Sequence, residues 1–207
     1  LGEMLERLEF DTIYHEHLCY FSITALARIA EQAGLALVRV DRVPVHGGSV
    51  RVYAAPAATV GGHAEPVRVL MEDEAASGLT GMPALRRFAE GSARTRTALV
   101  ELLAGLRGKG ARIAAYGAPA KGNTLLNYCR IGSDMVGYTV DRSALKQGRY
   151  TPGQHLRVEP VERLLEDQPD YVLILAWNFA DEIMAQQAEY RRRGGRFILP
   201  LPEPRVP

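Results

Sequence analysis

The second half of the sequence alternates short apolar runs with amphipathic segments, and this alternation restricts the possible folds more than any other feature. The predicted strands are Arg112–Tyr116, Met135–Val140, Tyr171–Ala176 and Arg196–Leu199, and the predicted helices are one through Leu125–Cys129, one beginning at Pro160, and Ala180–Arg193. Strands that alternate with helices in this way are typical of a parallel sheet with helices on both faces and right-handed crossovers. We therefore predict an α/β fold.

The first half predicts a helix followed by a β-hairpin. Ser22 is a suitable N-cap for a helix whose apolar residues share one face, and Gly34 is a suitable end for it. Leu35–Val43 and Ser49–Ala55 alternate as strands do. The connection 44–48 is short enough for an antiparallel pair, and its two glycines fit either a turn or a close approach to a ligand.

A segment rich in alanine, glycine and proline, 54–66, marks a boundary between modules. Two helices are predicted after it. Pro66 and Pro83 each fit the first turn of a helix, and the second helix extends to Leu106.

Composition excludes several classes of partner. The 207 residues carry 25 basic and 24 acidic side chains with no long block of like charge, so neither nucleic acid nor a membrane surface is an expected partner. We find no signal peptide and no apolar run of membrane-spanning length. Cys19 and Cys129 lie too far apart in sequence to suggest a disulfide framework, which favours a reducing cytoplasm.

The segment Phe10–Ser22 carries two imidazoles, two carboxylates and two phenols within a dozen residues, and we expect it to bear the chemistry. Such groups are costly to bury unpaired. One interpretation is that Tyr14 and His15 form hydrogen bonds in a core. The other is general acid–base catalysis by a histidine or Glu16. A zinc site is disfavoured, because the histidines are two residues apart and neither cysteine completes a ligand pattern.

The loop Gly117–Thr124 joins a predicted strand to a helix N-terminus, where backbone N–H groups favour an anion. It matches neither usual phosphate fingerprint, because proline occupies position 119 and Asn123 follows Gly122. Lys121 remains a candidate for a phosphate contact as a point charge. The sequence thus predicts a phosphorylated or nucleotide ligand for this module.

Two further residues follow predicted strands at the edge of the sheet where ligands gather in such folds. Asp141 is placed either to bind a ribose or to start the turn at Arg142–Ser143. Asn178 is placed either to face a ligand or to act as a helix N-cap.

The following segments are informative together: Asp11–His17 with Tyr20–Ser22, Val45–Tyr53, Tyr116–Asn127, Ala176–Phe179 and Gly194–Pro202. In sequence and in order they resemble segments of the S-adenosylmethionine (SAM)-dependent C-methyltransferases that act on nucleotide-linked deoxy-sugars. The resemblance implies a final helix and hairpin of a SAM-binding methyltransferase domain (1–58), a helical linker (59–108) and a Rossmann-like sugar-nucleotide-binding domain (109–207).

Members of this family look like three-part proteins, and this chain lacks their zinc-binding cysteines and glycine-rich donor loop. The chain also opens at Leu1 within an amphipathic phrase. We therefore expect a C-terminal fragment, in which SAM is bound mainly by a missing N-terminal part and which alone is inactive.

The resemblance implies methylation of a carbon next to the keto group of the sugar through a base-generated enolate. His17 matches the family's proposed base, with Tyr14 and Glu16 lining the same site. Tyr14 is expected to donate a hydrogen bond to the keto oxygen and Glu16 to orient His17. The expected substrate-binding residues are His15, His46, Gly47, Gly48, Ser49, Lys121, Asn123, Thr124, Asp141 and Asn178.

Two other functions are compatible with part of the pattern. A non-catalytic nucleotide- or coenzyme A-binding module would explain Gly117–Asp141 but would leave the cluster at residues 11–17 without a role. A nicotinamide-dependent dehydrogenase is disfavoured by Pro119 in the fingerprint loop.

Overall fold

The chain divides by its internal contacts into two units, which are Leu1–Glu9 with His17–Glu90, and Phe10–Glu16 with Gly91–Pro207. The structure is a computed structural model that describes residues 1–45, 48–79 and 81–207. The functional division at residues 58 and 108 inferred from the resemblance stays a prediction.

The first unit is built on a helix and an antiparallel hairpin, as the sequence predicts. Its elements are α1 (Gly2–Glu6), α2 (Ile23–Gln32), β1 (Leu35–Val43), β2 (Ser49–Pro56), α3 (Ala57–Val60), α4 (Glu65–Ala76) and the start of α5 (Met82–Gly108). Because alternate residues of β1 and one face of α2 are apolar, they bury a shared core. The buried residues of this core are Ile23, Ala27, Ala30, Leu37 and Val67.

The N-terminus of α2 is capped twice. Ser22 acts as the predicted N-cap, and its Oγ accepts a hydrogen bond from the Ala25 N–H at 3.0 Å. Glu74 of α4 adds a cap that the sequence does not reveal. Its carboxylate accepts from the Ile23 and Thr24 N–H groups at 2.7 and 2.8 Å and from the Thr24 hydroxyl at 2.6 Å. A negative charge here also interacts favourably with the helix dipole.

Replacing Glu74 by alanine should therefore destabilise α2 by about 1–3 kcal/mol, since two helix N–H groups and a hydroxyl lose a charged acceptor. Hydrogen–deuterium exchange should then be about ten times faster at the α2 amides. Glu72→Ala removes an exposed carboxylate from the same helix and serves as the control. Equal exchange rates in the two variants would contradict the capping role of Glu74.

The second unit contains a parallel sheet, and this confirms the predicted α/β class. Within the described part of the chain its strands lie in the order β5–β4–β3–β6–β7, and all pair in parallel. The strands are β3 (Ile113–Tyr116), β4 (Thr139–Val140), β5 (Val158–Glu159), β6 (Tyr171–Ile174) and β7 (Arg196–Ile198). The helices are the rest of α5, α6 (Ala120–Cys129), α7 (Arg163–Asp167), α8 (Ala180–Gln186) and α9 (Ala188–Arg192), with 3₁₀ turns at Phe10–Thr12 and Trp177–Phe179.

The sheet is central because its strands are almost wholly apolar. β3 is buried along its whole length and pairs with β4 on one side and β6 on the other. The fully buried Tyr190 of α9 packs on the sheet, and its ring lies 5.3 Å from that of Phe197. Its hydroxyl donates to the Pro169 carbonyl at 2.9 Å, with the Arg196 carbonyl oxygen 3.2 Å away.

Several elements differ from the sequence prediction, and three examples show why. The predicted strand Met135–Val140 keeps only Thr139–Val140, because the Met135 and Val136 N–H groups bond to the Gly132 carbonyl in a turn. The predicted helix Ala180–Arg193 is broken at Gln187 into α8 and α9. β5 has only two residues and follows no clear periodicity, so the sequence pattern did not indicate it.

Candidate active site

The carboxyl edge of the parallel sheet brings together the polar residues that follow its strands. The Gly117–Thr124 loop follows β3, Asp141 follows β4, and Trp177 and Asn178 follow β6 in a 3₁₀ turn. Because all strands run the same way, these segments leave the sheet at one edge, where ligands bind in open α/β sheets. Asn178 is not a helix N-cap, since Phe179 occupies that position for α8.

The glycines of the loop serve close packing. A Cβ at Gly122 would lie 2.8 Å from the Leu175 Cβ, closer than real Cβ atoms approach. Gly117 has φ +93°, and a Cβ there would lie 3.3 Å from that of Ala176. Gly122 therefore lets α6 approach the segment after β6, which is the role of the last glycine in a dinucleotide loop.

Asp141 accepts a hydrogen bond from the backbone of this loop. Its Oδ2 accepts from the Ala118 N–H at 2.7 Å and lies 3.3 Å from the Lys146 Nζ, while its Oδ1 accepts from the Ser143 N–H at 2.8 Å. Asp141 therefore starts the turn at Arg142–Ser143, as one of the two interpretations predicted. Its hydrogen bond with Ala118 also connects the segments that follow β4 and β3. A ribose contact of Asp141 stays a prediction.

Polar side chains of α6 lie beside the loop. The Thr124 hydroxyl donates to the Ala120 carbonyl at 3.3 Å, and the Asn123 Oδ1 is buried with no hydrogen-bond partner among the described residues. Within that part of the chain, no side chain caps the N-terminus of α6. Backbone N–H groups at an uncapped helix start favour an anion.

Asp11 forms a buried polar cluster with residues of this edge. Its side chain is fully buried, and its Oδ2 accepts from the Trp177 Nε1–H at 2.6 Å. The Lys121 Nζ lies 4.1 Å from the centroid of the Trp177 ring. Burial raises the pKa of Asp11 to about 6, against the opposing effects of the Trp177 hydrogen bond and the Lys121 charge. Sequence reasoning missed the cluster, although both Asp11 and Trp177 lie in phrases that carry the resemblance.

The predicted catalytic segment begins at this cluster and leads to the surface. Tyr14 is half-buried, and burial raises its pKa, as do the charges of Glu16 and Asp11. His15 and Glu16 are exposed, with the His15 Nε2 at 3.8 Å from the Glu16 Oε1. His17 is exposed and belongs to the first unit, where its ring lies 6.3 Å from that of Tyr20. Its side chain is therefore accessible, as a general base requires.

The remaining predicted residues lie at the hairpin connection of the first unit. His46 and Gly47 lie outside the described residues. Gly48 has φ +137°, and a Cβ there would lie 2.7 Å from the Glu3 carboxylate. The Ser49 hydroxyl donates to the Val45 carbonyl at 3.1 Å. The turn interpretation of Gly48 thus has a structural basis, and its binding role stays a prediction.

In residues 1–45, 48–79 and 81–207, no three histidine, cysteine, aspartate or glutamate side chains are grouped as a metal site needs. None of the helices in these same ranges is both long enough and apolar enough to cross a membrane.

Comparison with known proteins identifies the family. A model described as "C-methyltransferase C-terminal domain" matches residues 44–202, which is most of the chain. The chain belongs to the C-methyltransferase family. It is also 41% identical over 206 residues to the C-methyltransferase NovU of Streptomyces niveus, an alignment that covers 100% of this chain and 49% of NovU. The chain thus spans about half the length of this curated relative. The resemblance to C-methyltransferases is confirmed.

The alignment of this C-methyltransferase chain to NovU extends beyond the family match at the N-terminal side. The family match takes in the hairpin connection, the Gly117 loop, Asp141 and Trp177. The segment Phe10–His17 lies outside it but within the alignment to NovU. The similarity to a C-methyltransferase therefore extends over both the sheet edge and the predicted catalytic segment.

Proposed function

We propose that this chain acts in a SAM-dependent C-methyltransferase that methylates the carbon next to the keto group of a nucleotide-linked deoxy-sugar. The observation that carries the proposal is the similarity to a C-methyltransferase over the whole chain. Methylation at carbon needs a carbon nucleophile, and a C–H bond beside a carbonyl supplies one once a base removes its proton and the enolate is stabilised.

In this proposal His17 removes the proton and Tyr14 stabilises the enolate oxygen. His17 is exposed, so substrate can reach it. Because the pKa of Tyr14 is raised from 10.0, its phenol keeps its proton at neutral pH and can donate a hydrogen bond to the keto oxygen. Glu16, the residue before His17, is proposed to orient this imidazole.

The sugar nucleotide is proposed to bind at the carboxyl edge of the parallel sheet. The uncapped start of α6 favours a phosphate, and the buried Asn123 Oδ1 is available to a ligand donor. The full proposed binding set is His15, His46, Gly47, Gly48, Ser49, Lys121, Asn123, Thr124, Asp141 and Asn178. Lys121 is only 9% exposed, and a phosphate contact of its ammonium group is part of this proposal.

The glycine loop of the second unit does not fit SAM. The glycine loop of the second unit is packed against Leu175 at Gly122, and its Ala118 N–H donates to Asp141. The methyl donor SAM therefore has no unobstructed glycine in this loop that it could approach closely. We propose that SAM binds mainly to polypeptide corresponding to the half of NovU that this chain does not cover.

Calorimetry with a thymidine diphosphate-linked keto-deoxy-sugar, NAD and coenzyme A tests the ligand class on this chain. We expect heat of binding with the sugar nucleotide alone. Binding of coenzyme A, or equal binding of the nucleotide with and without its sugar, would instead favour the non-catalytic binding module. The feature that supports this alternative is the loop at the helix start, which favours an anion. Binding of NAD would favour a dehydrogenase and contradict the proposal.

A further inference from the structure

Asp11 has no role in the proposed chemistry, yet it is a fully buried carboxylate. Its Oδ2 accepts from Trp177, whereas its Oδ1 is buried without a hydrogen-bond partner among the described residues. An ionised carboxylate in such a place is unfavourable unless a neighbouring charge compensates it. The Lys121 charge beside the Trp177 ring offsets part of this cost, since it lowers the pKa of Asp11 that burial raises.

Contacts just before and just after Asp11 in the chain hold the start of the proposed catalytic segment in place. Asp11 lies in the middle of the 3₁₀ turn Phe10–Thr12, which packs on α6. Before Asp11, the buried Phe10 ring lies 4.9 Å from that of Tyr128 on α6. After it, the Ile13 N–H donates to the Phe10 carbonyl at 3.1 Å and closes the turn. Tyr14 follows directly.

Exposure changes sharply from the cluster outward. Phe10 and Asp11 are buried, Tyr14 is half-buried, and His15 and Glu16 are exposed. Because Asp11 is the last fully buried side chain before Tyr14, its bond to Trp177 sets where the exposed part of the segment begins. Misplacing a catalytic group by about 1 Å can lower a rate about a hundredfold.

We propose that Asp11 is a positioning residue: with Trp177 and Lys121 it anchors the segment that carries Tyr14 to the carboxyl edge of the sheet. The effect on turnover rests on the proposed function, whereas the anchor itself does not. The cluster joins residues 166 positions apart in sequence, so it ties the catalytic segment directly to the strand end at the ligand-binding edge.

Fluorescence tests the anchor without any substrate, because Trp177 is the single tryptophan of the chain. Its emission should change with a midpoint near pH 6 as Asp11 gains a proton. The change should vanish in Asp11→Asn, which keeps an acceptor for the indole, and persist in the exposed control Asp181→Asn. Lys121→Met should move the midpoint to higher pH, because the Lys121 charge lowers the pKa of Asp11.

The other titratable groups that act with Asp11 are Tyr14 on its own segment and Cys129 on α6. Burial raises the pKa of Cys129 to about 12, and the pKa of Tyr14 is raised above 10.0, so neither titrates near pH 6. A transition that survives in Asp11→Asn, or a midpoint that Lys121→Met leaves unchanged, would overturn the anchor.

Kinetics of the complete polypeptide test the positioning role. Asp11→Ala and Trp177→Phe, which each remove the hydrogen bond between these side chains, should each lower kcat about tenfold or more while KM for the sugar nucleotide stays within about twofold. The double variant should be no slower than the worse single one, because both remove the same bond. An unchanged kcat, a rise in KM alone, or additive losses would overturn the role. An inactive unmutated protein would instead contradict the proposed function, and fluorescence would still decide the anchor.

Discussion

Replacing His17 by alanine in the complete polypeptide should lower kcat by about 10²–10⁴-fold, the usual contribution of a positioned general base. The affinity for the sugar nucleotide should change little, because His17 is proposed to act on one C–H bond and not on the nucleotide. The exchange of that C–H hydrogen with deuterated solvent, followed by NMR, should slow by a similar factor. This second measurement reports proton removal apart from methyl transfer.

The matched control is His155→Asn. His155 is an exposed histidine of the second unit, and asparagine tolerates its φ of +54°. Its kcat should stay at the unmutated value. If His17→Ala retained the unmutated exchange rate, His17 would not be the base, whatever happened to methyl transfer. A weakened affinity with an unchanged kcat would assign His17 to binding instead.

Replacing Gly195 by alanine should destabilise the second unit by about 3 kcal/mol or more. Gly195 is buried, and an added Cβ would come closer to three ring carbons of Tyr190 than real Cβ atoms approach. That ring cannot move easily, because it is fully buried and its hydroxyl donates to the Pro169 carbonyl. The midpoint of urea unfolding, followed by Trp177 fluorescence, reports the change in this unit.

Gly105→Ala is the control for this substitution. Gly105 lies exposed in α5, where an added Cβ meets nothing within 4 Å, so the change should stabilise the chain by about 0.5–1 kcal/mol. Adding Tyr190→Leu to Gly195→Ala should cost less than the sum of the two single changes, since the ring that clashes is gone. A fully additive result would contradict the contact as the cause.

The local pattern of the sequence correctly predicts most elements. Ser22 caps α2, Gly34 follows its end with φ +70°, and the hairpin pairs antiparallel from Val43↔Ser49 onward. These features depend on neighbours within a few residues, which is why periodicity and capping preferences suffice. The strand predicted at Met135–Val140 is too long, because an apolar run does not reveal that its first N–H groups bond to Gly132 instead of to a neighbouring strand.

The candidate site was predicted only in part, because contacts between residues far apart in sequence leave no local pattern. The sequence points to Tyr14, Glu16 and His17 because their side chains are chemically unusual as neighbours. It does not reveal that Asp11 bonds to Trp177, since the two are 166 residues apart and neither phrase implies the other. Similarly, Gly122 looks like part of a phosphate loop, whereas its contact with Leu175 explains the glycine by packing.

By itself, then, the sequence determined the alternation of strands and helices, the hairpin and the segment rich in acid–base groups, because each follows from residues close together in the chain. Tertiary structure alone decided which buried and half-buried polar groups meet: Glu74 at the start of α2, Asp141 with the glycine loop, and Asp11 with Trp177. Burial removes water as a partner, so each polar group must find another wherever the fold brings one within hydrogen-bond distance.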